Sequence, residues 1–251
     1  MKRTILLCGM IGMALLLTSC LEEGNRNYDE TSVAYMATDM ASGRVYGRTL
    51  TGRLITSQNM QLMYPGTFHF MRYSWNEENG TTPISISATS TDVLQADNVV
   101  IMGDPVEIER VPLLLNQEPP VVETPRKFVD IDQPVYAADE IYLGDHWLFQ
   151  YAYEAKEGES ANVHFYYMED PEATDNEITI VIDLTIMGEP GTGSVTTKTD
   201  IIALDMSQLR AIYEGSSQTN TKELQITFQY YLKGRDQMVD TQVYRMTVQG
   251  D

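Results

Sequence analysis

The feature that most constrains the fold is an alternation of apolar and polar residues in the second half of the chain. Every even-numbered residue from Ile178 to Ile186 is isoleucine or leucine, whereas Thr179, Asp183 and Thr185 lie between them. A β-strand points successive side chains to opposite faces, so this period of two predicts a strand with one buried face. The alternation recurs in segments 147–153, 163–167, 224–230 and 244–248. Repeated strands of this kind predict an antiparallel β-sandwich.

Two local signals add detail to this half. The polar, glycine-containing segment 156–160 separates the alternating segments 147–153 and 163–167, which predicts that these two strands form a hairpin. A second segment begins with Asp205 and ends with Gly215. A capping residue, a glutamine three positions later and a terminal glycine predict one short helix there.

The first half is also predicted to be β, from shorter segments that glycine and polar loops interrupt. Short strands separated by such loops are typical of small barrels such as the OB-fold. The candidate strands are 33–38, 44–48, 52–56, 60–64, 68–75, 84–88 and 99–102. Three prolines within 116–125 disfavour both helix and central strand. We therefore predict an OB-like N-terminal domain over 32–115, a linker over 116–126 and a C-terminal sandwich over 127–251.

The first 19 residues predict a secretory signal peptide of the lipoprotein type. Lys2 and Arg3 give a positive start, and residues 5–17 form an uncharged apolar run. This run is shorter than the ~20 residues that cross a bilayer. It ends in a lipobox-like sequence composed of Leu17, Thr18, Ser19 and Cys20. We expect cleavage before Cys20 and attachment of lipid, with acyl chains such as palmitate, to its thiol.

Charge and cysteine content exclude several classes of function. The chain has 36 acidic and 17 basic residues, and the expected cleavage removes two of the basic ones. Nucleic acid is therefore not expected as a partner, because phosphates need basic surfaces. Cys8 would leave with the signal peptide and Cys20 would carry lipid, which excludes cysteine catalysis and thiolate metal sites. Residues 20–31 are polar and are expected to act as a tether.

The layout as a whole resembles the NigD-like lipoproteins of Bacteroidetes. The shared features are the lipobox, a short acidic start, a compact β domain, a proline-containing link and a β-sandwich of about 120 residues. The most similar local stretch is 141–153 followed, after a polar turn, by 163–167. The acidic residues at 21–23 resemble an export signal for the outer face of the outer membrane. The resemblance implies an OB-like domain followed by a sandwich, and the family name implies bacteriocin immunity. It implies no catalytic residues.

Histidines are the first candidates for a site. The chain has three: His69, His146 and His164. His146 and His164 fall on the two strands of the expected hairpin, where a cross-strand pair could bind a metal or move a proton. A structural role is the favoured interpretation, because sequence spacing of the H-E-x-x-H type is absent.

Carboxylates, a glycine-rich segment and tyrosines are weaker candidates. A calcium site or a glycosidase pair could be drawn from Asp130, Asp132, Glu169, Asp170, Asp175 and Glu177, although a solvated acidic surface is favoured. Segment 191–194 lacks the lysine of a phosphate-binding loop and is expected to be a turn. Tyrosine can contact glycans or proteins through its apolar face and polar tip, although packing in the core is favoured here. These residues are Tyr151, Tyr153, Tyr166, Tyr167, Tyr230 and Tyr231.

These observations together predict a non-enzymatic protein of the cell envelope. We expect it to be held at the outer membrane by lipid on Cys20, and the acidic start leaves open whether it faces the cell surface or the periplasm. The expected ligand is a surface glycan or an envelope protein, and no metal or cofactor is expected. Two alternatives stay open: an immunity protein, which the family resemblance implies, and a hydrolase of surface polysaccharide, which the abundant carboxylates allow.

Overall fold

The alternating segments become strands, and the all-β class with one short helix is confirmed. The computed structural model describes residues 27–86, 93–137, 140–167, 176–214 and 221–248. The strands are β1 Asn27–Thr38, β2 Val45–Thr49, β3 Leu54–Thr56, β4 Phe68–Asn76, β5 Thr81–Ser85, β6 Val93–Asn98, β7 Val100–Leu115, β8 Asp130–Ile131, β9 His146–Ala155, β10 Glu159–Tyr167, β11 Glu177–Gly188, β12 Thr196–Asp205, β13 Lys222–Tyr231, β14 Met238–Asp240 and β15 Tyr244–Val248.

Helical segments are short. The predicted helix spans Ser207–Glu214, and the carboxylate of Asp205 accepts the backbone N–H of Ser207 at 2.9 Å as a cap. A single α-helical turn lies at Glu140–Leu143, and 3₁₀ turns lie at Asn59–Leu62 and Glu77–Asn79. The first of these 3₁₀ turns replaces a strand that the sequence predicted over 60–64.

The chain divides into two compact units. Residues up to Pro65 and Phe70–Pro105 make the first unit, and Gly66–His69 with the residues from Val106 onward make the second. The division therefore falls inside β7, before the segment 116–126 that was predicted as a linker. That segment contains no strand or helix. The first strand begins at Asn27, so it overlaps the predicted tether.

The first unit is an OB-like small barrel. Its strands follow the order β4-β1-β2-β3-β6-β5. The pairs β1 with β2, β2 with β3 and β5 with β6 are antiparallel, whereas β3 and β6 run parallel, with Ile55 opposite Asp97. The backbone N–H of Met40, just after β1, donates to the carbonyl of Ser85 at 3.0 Å, which brings β5, the last strand of this order, beside the end of β1. A core of buried apolar residues fills the interior, among them Met36, Ile55, Met60, Met71 and Tyr73.

The second unit is a β-sandwich. One sheet joins β8, β9, β12 and part of β7, and the other joins the end of β7 with β10, β11, β13, β14 and β15. Strand β7 changes sheets between Pro112, which faces β12, and Leu113, which faces β10. Proline has no N–H to donate, which suits it to this point of exchange.

Two details of the sandwich differ from the prediction. Three of its strand pairings are parallel, namely β7 with β10, β7 with β12, and β11 with β13, so the sheets are mixed rather than antiparallel throughout. The predicted hairpin of β9 and β10 is wrong, because β9 pairs with β12 and β8 whereas β10 pairs with β11. Both strands carry a row of aromatic residues, and opposite sheets allow these rows to bury against each other.

Glycines allow the chain to cross between the sheets twice at one place. Gly158 and Gly188 have φ angles of 80° and 100°, which disfavour other residues. A Cβ on Gly188 would lie 2.3 Å from the carbonyl oxygen of Gly158. The crossovers from β9 to β10 and from β11 to β12 therefore pack backbone against backbone, and the amide of Gly191 donates to the carbonyl of Glu157 at 2.7 Å.

Aromatic rings form the centre of the sandwich core. Phe228 on β13 lies 4.9 Å from the ring of Phe149, 5.8 Å from Trp147 and 5.9 Å from Tyr244, measured between ring centroids. Phe149 and Phe165 are 5.2 Å apart across the two sheets. Tilted and edge-on contacts of this kind stabilise more than apolar burial alone.

Candidate functional site

The main candidate site is a cleft in the first unit that neutral polar side chains line. Its volume is about 470 Å³, within the range of small-ligand pockets. We call it the amide-lined cleft, and its walls consist of Arg44, Thr56, Ser57, Gln58, Gln61, Asn79, Asn98 and Val99. None of the described residues in these walls carries a carboxylate.

One wall of the cleft is the 3₁₀ turn Asn59–Leu62, which the side chain of Gln61 fastens to β2. Its Oε1 accepts the N–H of Val45 at 2.9 Å, and its Nε2 donates to the carbonyl of Val45 at 2.8 Å. The hydroxyl of Thr56 donates to the same carbonyl at 3.1 Å. Met60 is fully buried beneath the turn. The turn is therefore held by apolar burial and by an amide that pairs as a neighbouring strand would.

The opposite wall is the loop after β4. Asn76 Oδ1 caps it by accepting the N–H of Asn79 at 3.0 Å, and the indole of Trp75 donates to the carbonyl of Gly80 at 2.9 Å. Asn98 Nδ2 donates to the carbonyl of Asn79 at 2.9 Å, and Asn98 Oδ1 accepts the hydroxyl of Thr82 at 2.7 Å. Both ends of the Asn98 amide therefore help to build this wall.

Three polar side chains in the cleft are available to a ligand. Within the described ranges, the side chains of Gln58, Asn79 and Arg44 make no hydrogen bond or ion pair. Two amides and one guanidinium offer both donors and acceptors, which fits a ligand with many hydroxyl groups. The sequence analysis missed these residues. The clustered amides of segment 57–61 were the signal that could have found them.

A second cleft of about 490 Å³ adjoins the first through Arg44, which lines both. We call it the Asp39 cleft, and it also includes Ala41, Ser42, Thr82, Pro83, Ile84, Ser85 and Val93. The carboxylate of Asp39 accepts the N–H groups of Ala41, Ser42 and Ser85 at 3.1, 3.2 and 2.8 Å, and also the hydroxyl of Ser42. Burial acts to raise its pKa, but these hydrogen bonds hold the pKa below the usual range.

The three histidines do not lie together in one site. His69 bonds to the hydroxyl of Thr67 at 3.0 Å, and burial lowers its pKa. His146 lies at the start of β9, where its Nδ1 is 3.1 Å from the carbonyl of Leu143. His164 lies on β10 in the other sheet, so the expected cross-strand pair of His146 and His164 is wrong.

The cross-strand partner of His164 is Asp183. His164 Nδ1 and Asp183 Oδ2 are both buried and have no hydrogen-bond partner among the described residues. Burial raises the pKa of Asp183, and the charge of His164 acts against that rise. Two such groups do not complete a metal site, and in the described part of the chain no three histidine, cysteine, aspartate or glutamate side chains gather to hold a metal.

The carboxylates proposed for calcium are not brought together. Asp130 and Asp132 lie in and beside β8, whereas Glu177 begins β11 in the opposite sheet. Glu169, Asp170 and Asp175 lie outside the described residues. Segment 191–194 connects β11 to β12, as a turn should.

The tyrosines divide between core and surface. Tyr151, Tyr153, Tyr167 and Tyr230 are buried, as favoured. Tyr166 and Tyr231 are half-buried on the outer face of their sheet. The lipobox residues Leu17, Thr18, Ser19 and Cys20 lie outside the described residues. Among the residues described, no helix has the length and apolar character needed to cross a membrane.

The second unit contains a smaller, more enclosed cavity of about 230 Å³, next to a buried ion pair. Arg210 Nε lies 2.8 Å from each carboxylate oxygen of Asp145, and Arg210 Nη1 donates to the carbonyl of Thr247 at 2.7 Å. The side chains are only 10% and 12% exposed. Burial raises the pKa of Asp145, although Arg210 acts against the rise. Since the pair joins the helix to β15 and to the start of β9, its role is structural.

Arg210→Met is expected to lower the free energy of unfolding by about 3–5 kcal/mol, because it leaves the charge of Asp145 buried without its partner. Arg245→Met, at the same cavity, is the matched control. Arg245 is 71% exposed in its pair with Glu223, so its loss should cost about 0–1 kcal/mol. Urea unfolding measures both. Similar losses in the two variants would contradict a structural role for the buried pair.

Asp39→Asn is expected to lower the free energy of unfolding at pH 7 by about 1–2 kcal/mol, because the amide cannot accept all the hydrogen bonds of the carboxylate. A lowered folded-state pKa means that the ionised form stabilises the fold above the unfolded pKa of about 4, and that this contribution is lost as the pH falls through the folded value. The difference between wild type and variant should therefore shrink in acid. Unfolding at pH 7 and at pH 3 tests this, with exposed Asp104→Asn as control. A difference that does not change with pH would contradict it.

Among known proteins, this chain is similar to solved structures in fold but not in sequence. No family model matches the chain, and no curated protein does. An uncharacterized protein from Parabacteroides merdae is similar with a TM-score of 0.55 and 9% identity, over 87% of this chain and 98% of that one. A candidate lipoprotein from Bacteroides fragilis is similar with a TM-score of 0.50 and 13% identity, over 90% and 99%.

A NigD-like immunity protein from Bacteroides caccae is also similar, with a TM-score of 0.48 and 9% identity over 89% of this chain and 98% of that one. A score below 0.5 carries no conclusion about this chain, so the NigD-like resemblance and the immunity function that it implies stay predictions. The likeness to the first two structures shows that this fold occurs in proteins of Parabacteroides and Bacteroides.

Proposed function

We propose that this protein is a lipid-anchored component of the cell envelope that binds an oligosaccharide without altering it. The observation that carries the proposal is the amide-lined cleft of about 470 Å³, which is lined by Gln58 and Asn79, whose side-chain amides make no hydrogen bond among the described residues. An amide both donates and accepts hydrogen bonds, as a sugar hydroxyl does, so the two groups are complementary.

The surroundings of the cleft support a sugar as the ligand. Leu62, the last residue of the 3₁₀ turn, and Tyr64, two residues later, are 86% and 78% exposed. An exposed tyrosine ring gives an apolar surface for the face of a sugar and a hydroxyl for its edge. Binding rather than hydrolysis is proposed because glycosidases use two carboxylates that flank the scissile bond. The described walls of the amide-lined cleft supply none.

The anchored location rests on the lipobox and on a structural relative. In the sequence, the N-terminal apolar run leads into the lipobox-like residues Leu17, Thr18, Ser19 and Cys20. A candidate lipoprotein shares the fold over nearly the whole of both chains. The acidic residues that follow Cys20 favour the outer membrane and its outer face, where glycans are accessible.

Gln58→Ala is expected to weaken oligosaccharide binding about three- to tenfold, since one hydrogen bond contributes ~0.5–1.5 kcal/mol. The exposed side chain of Gln58 makes no contact that would affect folding. Gln225→Ala removes an exposed amide from the second unit and should leave binding unchanged. Calorimetry against a panel of neutral and acidic oligosaccharides provides the measurement. If no member of the panel binds, or if both variants bind like wild type, the cleft is not the site.

Cys20→Ser is expected to release the protein from the membrane fraction while its fold is kept, because the thiol that would carry the lipid is lost. Fractionation followed by immunodetection measures this, with Cys8→Ser as the control that should stay membrane-bound. Protease treatment of intact cells then tests the outer-surface location. Membrane association of Cys20→Ser at the wild-type level would contradict the anchor.

A further inference from the structure

Arg44 occupies a special position at the junction of two clefts. It lines both the amide-lined cleft and the Asp39 cleft, with volumes of about 470 and 490 Å³. Each volume alone suits a small ligand. Because Arg44 borders both, we treat the two clefts together as one groove, whose combined volume suits a ligand of several sugar units.

The guanidinium of Arg44 is also the one cation of this unit without a partner, within the residues that the structure describes. Residues 27–105 contain four basic residues, all arginine. Arg53 pairs with Glu30 at 3.2 Å, and Arg72 pairs with Asp29 at 2.7 Å. Arg48 is buried and donates to the hydroxyl of Tyr46 at 2.6 and 3.1 Å. Arg44 is exposed and has no ion pair or side-chain hydrogen bond.

Among the described residues, no carboxylate forms an ion pair with Arg44. Residues 27–105 contain eight acidic residues. The one described carboxylate in the walls of the groove belongs to Asp39, which is 3% exposed. Its oxygens already accept four hydrogen bonds from Ala41, Ser42 and Ser85. An unpaired arginine in a groove of an otherwise acidic unit is a binding group for an anion.

We propose that the ligand is an acidic oligosaccharide that lies across both clefts and places a carboxylate or sulfate against Arg44. This inference rests on the proposed function and adds the charge and the length of the ligand. The unengaged amides of Gln58 and Asn79 bind neutral hydroxyls on one side of Arg44. The planar guanidinium binds the anionic group through paired N–H donors.

The test compares each acidic oligosaccharide with its own neutral form. Oligogalacturonate is paired with its methyl ester, which keeps the sugar chain and removes the charge. A sulfated oligosaccharide is paired with its desulfated form, which distinguishes a carboxylate ligand from a sulfate ligand. Calorimetry uses the full chain in detergent micelles, and it is run with wild type, Arg44→Gln and Arg44→Lys. Arg72→Gln removes the same charge elsewhere in the unit and is the matched control.

We expect wild type and Arg72→Gln to bind the acidic form of one pair about tenfold or more tightly than its neutral form. Arg44→Gln should abolish that preference, and Arg44→Lys should restore part of it. Rising salt should reduce the preference. Equal affinities for the two forms in wild type, or a preference that Arg44→Gln keeps, would overturn the inference while the proposed function stands. No binding of either form in any pair would overturn both.

Discussion

The contact of two aromatic faces is the interaction on which the second unit depends. Trp147 and Phe149 on β9 bury against Phe165 and Phe228 on the opposite sheet. The two cysteines of the sequence lie at positions 8 and 20, outside the described residues, so no disulfide can add to this core. Apolar burial must therefore supply most of the stability. The need to bury both rows explains why β9 and β10 lie in different sheets although they are neighbours in sequence.

The sequence predicted what local pattern controls. The alternation at 178–186 became β11, and the capping signals at Asp205 became the helix Ser207–Glu214. Partners of strands were predicted less well, because pairing depends on contacts between distant segments. The parallel pairing of Ile178 with Ile226 joins residues that no turn connects. Alternation shows which face of a strand is buried, but it does not show which strand lies beside it.

The candidate site could not be predicted in the same way. Gln58, Asn79 and Arg44 belong to three separate segments, and the barrel brings them to one cleft. No spacing motif links them, and their value to a ligand lies in having no partner within the described protein. The sequence drew attention instead to histidines and carboxylates, whose chemistry is stronger but whose positions in the fold keep them apart.

The walls of the amide-lined cleft are built from neutral groups. The side-chain amide of Gln61 exchanges two hydrogen bonds with the backbone of Val45, and the amide of Asn98 donates to the carbonyl of Asn79. The indole of Trp75 donates to the carbonyl of Gly80, and none of these bonds has a charged partner. Neutral hydrogen bonds respond little to ionic strength or to the acidity of the surroundings. A location in the cell envelope, as proposed above, would expose the protein to wide changes in both. The shape of the cleft should therefore be the same at low and at high ionic strength. Only the strength with which Arg44, the one cation among the described residues of its walls, attracts a ligand should change with the salt concentration.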